Sequence, residues 1–211
     1  MIRALLFDND GVLVDTEGLF FEVNRELLAE LGVALSERMF LDWYLRDNCG
    51  AWHLVDGVSP ERIAVWRAER NRRYSARLAA ERIVPIGGIG ATLAALAHLP
   101  KGVVTSANRE HFDQMHADLG LRQHFDFVLT AEDYARPKPH PEPYLRGLAA
   151  LGLAPHEVLV VEDSPRGLQA AQAAGLRCVV LRHRLTADHD FSAAWRVIDR
   201  IDALPALVEE A

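Results

Sequence analysis

Four short motifs hold the residues of this chain that could do chemistry together. They are Phe7-Asp8-Asn9-Asp10-Gly11-Val12, Thr105-Ser106-Ala107-Asn108, Lys138-Pro139 and Glu162-Asp163-Ser164. Asp8 and Asp10 stand at i and i+2, with a glycine behind them. An aspartate at a strand end can present a carboxylate oxygen to phosphorus as a nucleophile. A second acid two residues on can protonate the leaving oxygen. Crowding two carboxylates splits their pKa values, one staying ionised while the other holds a proton. Gly11 permits the sharp turn that aims both. The ordinary alternative for such a pair is an Asp-rich turn or a helix cap.

Ser106 follows the apolar run Val103-Val104 and precedes a helix that starts at Arg109. A hydroxyl beside the first backbone N–H groups of a helix, here around Ala107 and Asn108, makes an anion site. Ser106 could instead be only the helix cap, unless Asn108 takes that task and frees it. Prolines flank Lys138 and stiffen the loop that holds its ammonium. A solvated loop lysine would be the plain alternative. The chain has only two lysines, Lys101 and Lys138, among 23 basic residues, so a lysine inside a motif stands out. A compact ammonium also differs chemically from a planar guanidinium. Glu162 and Asp163 close an apolar run, and Ser164-Pro165 opens the next helix. Adjacent acids at a buried strand end are costly unless a cation or donors compensate them. Hard carboxylate oxygens suit Mg²⁺. The alternative is a capping Asp or Ser with an exposed Glu neighbour. In this order, the four motifs point to metal-assisted phosphoryl transfer.

Strands must bring these motifs together. Arg3 to Phe7 reads as the first strand. After Gly88 the pattern alternates: helix 89–99, strand 102–105, helix 109–119, strand 127–130, helix 141–151, strand 158–161, helix 165–174 and strand 178–181. A weaker strand at Val197-Ile198 and a helix at Leu204 to Val208 close the chain. Continuous apolar strands between helices argue a parallel sheet covered on both faces. The strand ends of such a sheet share one edge, where distant residues meet. Residues 15–82 hold helices only, at 16–31, 36–44 and 59–78, with a turn region from Asn48 to Gly57. A crossover needs a dozen or so residues, so this stretch reads as an inserted helical cap over the strand edge. The expected division is a Rossmann-like core of residues 1–14 and 83–211 with a cap of 15–82.

The composition is globular, 50% hydrophobic and 25% charged. A net charge of -7 gives no reason to expect nucleic acid or a membrane surface as partner. Positive charge for an anionic substrate must then be local. No apolar run reaches the about 18 residues of a membrane helix, and the N-terminus runs straight into the first motif, which argues against a cleaved signal. Cys49 and Cys178 make no disulfide framework, so a cytoplasmic protein with free thiols is expected. The nine histidines form no metal-ligand pattern. Arg67, Arg70, Arg72 and Arg73 read as a solvated helix face. Arg46 and Trp52, in or beside the turn of the insert, are expected to face the substrate. Oligomeric state is not readable.

With these motifs, the chain resembles the haloacid dehalogenase superfamily of phosphotransferases over essentially its whole length. The resemblance implies a modified Rossmann core with a helical cap inserted after the first strand. It makes Asp8 the nucleophile, Asp10 the acid/base, Ser106 and Lys138 phosphoryl ligands, and Asp163 a Mg²⁺ ligand. Asp10 would lend its backbone carbonyl to the metal, and Glu162 would be a ligand or its support. The stretch Asp8 to Glu17 is similar to the subgroup of phosphoglycolate phosphatase, sugar phosphatases and β-phosphoglucomutase. Dehalogenases lack the second acid that Asp10 supplies, and phosphonate-cleaving relatives need a cap lysine, which residues 15–82 lack. Phe20 stands where the mutase carries a histidine. The expectation is therefore hydrolysis of a small phosphorylated metabolite, with the mutase as alternative. A phosphorylatable receiver domain is the non-enzyme rival.

Overall fold

The computed structural model describes all residues from Met1 to Ala211. Six parallel strands form one sheet in the order β3-β2-β1-β4-β5-β6. They are β1 (Ala4–Phe7), β2 (Lys101–Val104), β3 (Phe127–Leu129), β4 (Val158–Glu162), β5 (Arg177–Leu181) and β6 (Arg196–Ile198). Strands β1, β2 and β4 are buried throughout, which is why they read as apolar runs apart from Lys101 at the start of β2 and Glu162 at the end of β4. β1 lies between β2 and β4, so the connections diverge at its C-terminal end. That is the switch point at which open α/β sheets bind ligands. Separate apolar clusters cover the two faces of the sheet, one around Phe7, Leu93 and Phe112, the other around Leu6, Tyr144 and Leu168.

Eight α-helices accompany the sheet. Between β1 and β2 lie α1 (Glu17–Glu30), α2 (Glu37–Phe40), α3 (Pro60–Ala80) and α4 (Ile89–Ala95). Then follow α5 (Arg109–His116), α6 (Glu142–Leu151), α7 (Pro165–Ala173) and α8 (Leu204–Glu210). Ser36 and Ser59 cap α2 and α3 with their side chains, and Pro60 occupies the first turn of α3. The expected boundaries shift most in three helices. α4 and α5 stop at Ala95 and His116, each passing into a turn. The second helix of the insert is α only over Glu37–Phe40 and continues as a π turn, Leu41–Arg46.

The α1–α3 insert has a core of its own, built on Phe21, Leu28, Phe40, Tyr44, Trp52 and Trp66. Its two connections to the sheet run side by side. Val14 bridges Pro85, Asp15 N–H donates to the Val84 carbonyl at 3.0 Å, and Ile86 N–H donates to Leu13 at 2.9 Å. No helix is long and apolar enough to cross a membrane. Cys49 and Cys178 are both free thiols.

Candidate active site

β1 delivers Asp8 to the middle of the strand edge, where its N–H donates to the Val161 carbonyl of β4 at 2.9 Å. The chain then turns sharply. The N–H groups of Val12, Leu13 and Val14 all donate to the Asn9 carbonyl. Gly11 has φ +74°, and a Cβ there would stand 2.2 Å from Asp163 Oδ2. Glycine therefore serves twice, for the left-handed turn and for the approach of the β1 loop to the β4 loop. The side chain of Asn9 locks the turn from below. It accepts from His116 Nε2 at 2.7 Å and donates to Asp10 Oδ2 at 3.2 Å. Thr16 Oγ1 donates to the other oxygen of Asp10 at 2.5 Å. Asp10 is thus aimed toward the insert, while Asp8 stays in the floor.

Lys138 is fully enclosed, and its ammonium donates to two acceptors and forms an ion pair with Asp8, whose Oδ1 has no hydrogen-bond partner. Nζ lies 3.0 Å from Asp8 Oδ1, 2.7 Å from Glu162 Oε1 and 2.8 Å from the Val104 carbonyl. Its ammonium also sits 4.7 Å from the centre of the Tyr144 ring. Burial alone would lower its pKa, but the Asp8 and Glu162 carboxylates hold it above the ordinary lysine value. The other lysine has a different task. Lys101 Nζ donates to the Leu96 and Leu99 carbonyls, closing the end of the α4 segment.

Glu162 is saturated. Oε1 accepts from Lys138 and, at 2.6 Å, from Tyr144 OH. Oε2 accepts from Asp163 N, Ser164 N and Ser164 Oγ. A Cβ on Gly167 would overlap its carboxyl at 1.9 Å, so α7 has to present a glycine there. Burial alone would raise the pKa of Glu162, yet the Lys138 ammonium and these donors hold it below the ordinary carboxylate value. Asp8, Glu162 and Asp163 have oxygens within 4.8 Å of one another, a buried cluster that could hold a metal ion. The donor chemistry divides that cluster. Glu162 has no lone pair left for a cation, whereas Asp8 and Asp163 do.

The remaining charge is uncompensated. Burial, with the Glu162 charge behind it, pushes the Asp8 carboxyl up to about 7 against the pull of Lys138. Burial, then Glu162 and Asp8, raises Asp163 well above the ordinary range. Glu17, at the start of α1, is raised likewise by burial and then by Asp163 and Asp10. Buried carboxylates in this condition fit a divalent cation.

A cavity of about 440 Å³ opens above these residues, between the sheet edge and the insert. Asp8, Asp10, Ser106, Ala107 and Asn108 line its core side. Ser106 Oγ is buried without a partner, because Asn108 caps α5 by accepting from His111 N–H at 2.8 Å. Thr105 accepts from Ala107 N–H at 3.0 Å and shapes this loop from beneath.

On the insert side the sequence expectations need correction. Arg46 does not line the cavity. The π turn directs its guanidinium back onto Asp42 and Asp47, at 2.8 Å each. Trp52 does line it, and is also stacked on Trp66 at 6.0 Å in the insert core. Arg70 is half-buried rather than part of a solvated face, and Arg67, though exposed, also borders the cavity. Arg67, Arg70, Asn71 and Tyr74 form one stripe of α3 that faces the cavity. Arg72 and Arg73 point away and pair with Glu69 and Glu30. Neither Arg67 nor Arg70 pairs with a carboxylate. Arg70 donates to the neutral Asn71 side chain and lies 5.1 Å from the Phe20 ring centre. Burial pulls its guanidinium down to about 10.

Two further residues join insert and core. Asn48, at φ +54°, donates to the Lys138 carbonyl at 2.9 Å and accepts from Arg166 at 2.8 Å. Arg166, in the first turn of α7, also lines the cavity, with Nε buried and unpartnered. No motif marks either residue.

Residues 5–181 match the family described as haloacid dehalogenase-like hydrolase. The chain belongs to that family. It is 32% identical to protein CbbY of Rhodobacter capsulatus, over 99% of this chain and 98% of the relative. It is 34% identical to a phosphoglycolate phosphatase of Pectobacterium atrosepticum, over 84% of this chain and 79% of the relative. A solved structure of a CbbY variant from Rhodobacter sphaeroides, in complex with xylulose-(1,5)bisphosphate, superposes with a TM-score of 0.81. It shares 27% identity and covers 95% of each chain. The chain is a hydrolase of phosphoric monoesters, which removes the receiver-domain alternative.

Proposed function

We propose that this chain is a Mg²⁺-dependent phosphatase of a small phosphorylated metabolite, working through an aspartyl phosphate on Asp8. The observation that carries the reading is Asp8 itself. It is buried at the switch point, paired with Lys138 at 3.0 Å, next to Asp10, and shares its cavity with the free Ser106 hydroxyl.

An Asp8 oxygen forms a bond to phosphorus as the bond to the leaving oxygen breaks. Asp10 gives that oxygen its proton, and then takes one from the water that releases phosphate from Asp8. Lys138 and the Ser106 hydroxyl hold the phosphoryl oxygens in place, together with the backbone around Ala107 and Asn108. Asp8, Asp163 and the Asp10 carbonyl are the groups that would hold the metal, with Glu162 anchoring Lys138 instead. Bound Mg²⁺ would offset the negative charge of the phosphoryl oxygens.

The test is Asp8→Asn with p-nitrophenyl phosphate and Mg²⁺. Turnover should fall by at least about 10³-fold while the fold is kept. A variant that retains most of its activity would remove Asp8 as nucleophile. Phosphomutase activity remains the rival. It predicts that phosphate from Asp8 returns to a sugar rather than to water, so release of free phosphate as the main product opposes it.

The insert side favours a substrate whose leaving alcohol carries a second anionic group. Arg67 and Arg70 put two guanidiniums without carboxylate partners into a cavity whose floor is acidic. Phosphoglycolate has a carboxylate in that relation to its phosphate, and xylulose bisphosphate a second phosphate. A matched pair tests this. The kcat/KM for phosphoglycolate should exceed that for ethyl phosphate, and Arg70→Gln should narrow the gap by about tenfold.

A further inference from the structure

Between Leu181 and Arg196 the chain leaves the sheet edge and reaches both halves of the molecule. His183 Nε2 meets Asp163 Oδ2 at 2.9 Å. Two residues on, Leu185 is buried in the apolar core of the insert, although it belongs to the β5–β6 connection. The turn that joins them is closed by its own hydrogen bonds. Thr186 N–H donates to the His183 carbonyl at 3.0 Å, and Thr186 is fully enclosed. Leu185 N–H donates to His183 Nδ1 at 3.3 Å. That bond makes Nδ1 an acceptor and leaves Nε2 to donate to Asp163. The same backbone N–H therefore sets the tautomer of His183 and belongs to the residue seated in the insert. An exposed ion pair, Arg184 with Glu37 at 3.2 Å, adds little to this attachment.

We infer that His183 and Leu185 are linked positioning residues: His183 orients the Asp163 carboxylate, Leu185 holds the insert over the strand ends, and the turn between them makes each state bias the other. The inference rests on the reading of Asp163 as a metal ligand. Leu185 sits in the insert core, does not line the cavity and makes no hydrogen bond to Asp163, so its influence on the metal site travels through the turn. Linkage is reciprocal, so metal binding should in turn steady the insert.

Mg²⁺ affinity, measured by calorimetry on the full chain without substrate, tests this. Leu185→Ala should weaken Mg²⁺ by at least about fivefold, and Leu185→Met, which keeps an apolar side chain in the insert, should restore most of it. His183→Ala should weaken Mg²⁺ as well, and His183→Gln, which retains a donor for Asp163, should weaken it less. The double variant His183→Ala/Leu185→Ala should be no weaker than His183→Ala alone, because the two losses share one route. Tryptophan fluorescence gives a second readout, since three of the four tryptophans, Trp43, Trp52 and Trp66, lie in the insert, and a Trp195→Phe background removes the fourth. The signal change on adding Mg²⁺ to wild type should be lost in Leu185→Ala. Melting curves separate these effects from simple unfolding. Wild-type Mg²⁺ affinity in Leu185→Ala, additive losses in the double variant, or a wild type that binds no Mg²⁺ would each overturn the inference. Failure of the phosphatase reading would show separately, as absent hydrolysis of p-nitrophenyl phosphate.

Discussion

At the scale of single residues, Lys138 concentrates the most consequence. Its ammonium is the cation for two buried carboxylates and a backbone carbonyl, and none of the three distances exceeds 3.0 Å. Arginine keeps the charge but is planar and longer, and the pocket formed by Val104, Tyr144 and Glu162 has no space for a fork. Lys138→Arg should lower kcat/KM by at least about tenfold, measured by steady-state kinetics. Lys138→Met removes the charge altogether and leaves Glu162 buried and unpaired. That variant should lose roughly 3–5 kcal/mol of stability in denaturant unfolding.

The raised carboxyls predict a pH signature. Asp8 keeps its proton to about 7 when folded but releases it near the ordinary aspartate value of 3.8 when unfolded. Across that window the folded state binds more protons, so stability of the metal-free protein falls as pH rises and levels off above it. Asp163 and Glu17 act in the same sense. Glu162, held low, acts oppositely, and its contribution is lost only as pH falls below the ordinary carboxylate range. The metal-free melting temperature should therefore drop between about pH 5 and about pH 7.5, and Mg²⁺ should raise it more at the higher pH. A metal-induced gain that is equal at both ends would contradict the assignment.

At the scale of elements, legibility followed burial. The central strands are buried on both faces, so their apolar runs announced them, and the acids at their ends were readable as a group. The sequence offers Asn108 as the cap of α5 that would free Ser106, and the hydrogen bond from His111 N–H is the physical form of that trade. The insert was harder. A π turn has no sequence signature comparable to a cap, and it rotates Arg46 away from the cavity. The orientation of α3 was open to reading, because residues 67, 70, 71 and 74 recur at helical spacing. The arginines hid it, since the same residue type occupies the opposite face, where glutamates pair with it. Asn48 and Arg166 carried no signal, as their meaning lies in a contact between segments far apart in sequence. Asn48→Ala removes both bonds across that junction. It should raise KM several-fold, roughly 3- to 10-fold, with a smaller change in kcat.

At the scale of the whole molecule, the cavity lies between two bodies that each have a core of their own, share a small apolar cluster of Val23, Tyr74, Leu78 and Met115, and are joined by paired connections at Val14 and Pro85. Such an arrangement favours rigid movement of the insert about the connections, with Gly88 at φ +89° just beyond them. Hydrogen exchange should report it. With Mg²⁺ and orthovanadate, which imitates the phosphoryl group in transfer, protection should rise most in residues 48–50 and 183–186. The strands β1, β2 and β4 should change little, being already protected in the free protein. Uniform protection across the chain would argue against movement between the bodies.

The side-by-side connections have one more consequence, for anyone who would exchange the insert between relatives. Topologically it is a cassette, since the chain leaves and re-enters the sheet at neighbouring points. Energetically it is not self-contained, because Leu185 completes its interior from the other half of the protein. A grafted insert that arrives without a matching β5–β6 turn brings a hole at that position. Successful swaps should need both pieces transplanted together, and the natural history of such chimeras would be written in two separated stretches of sequence rather than one.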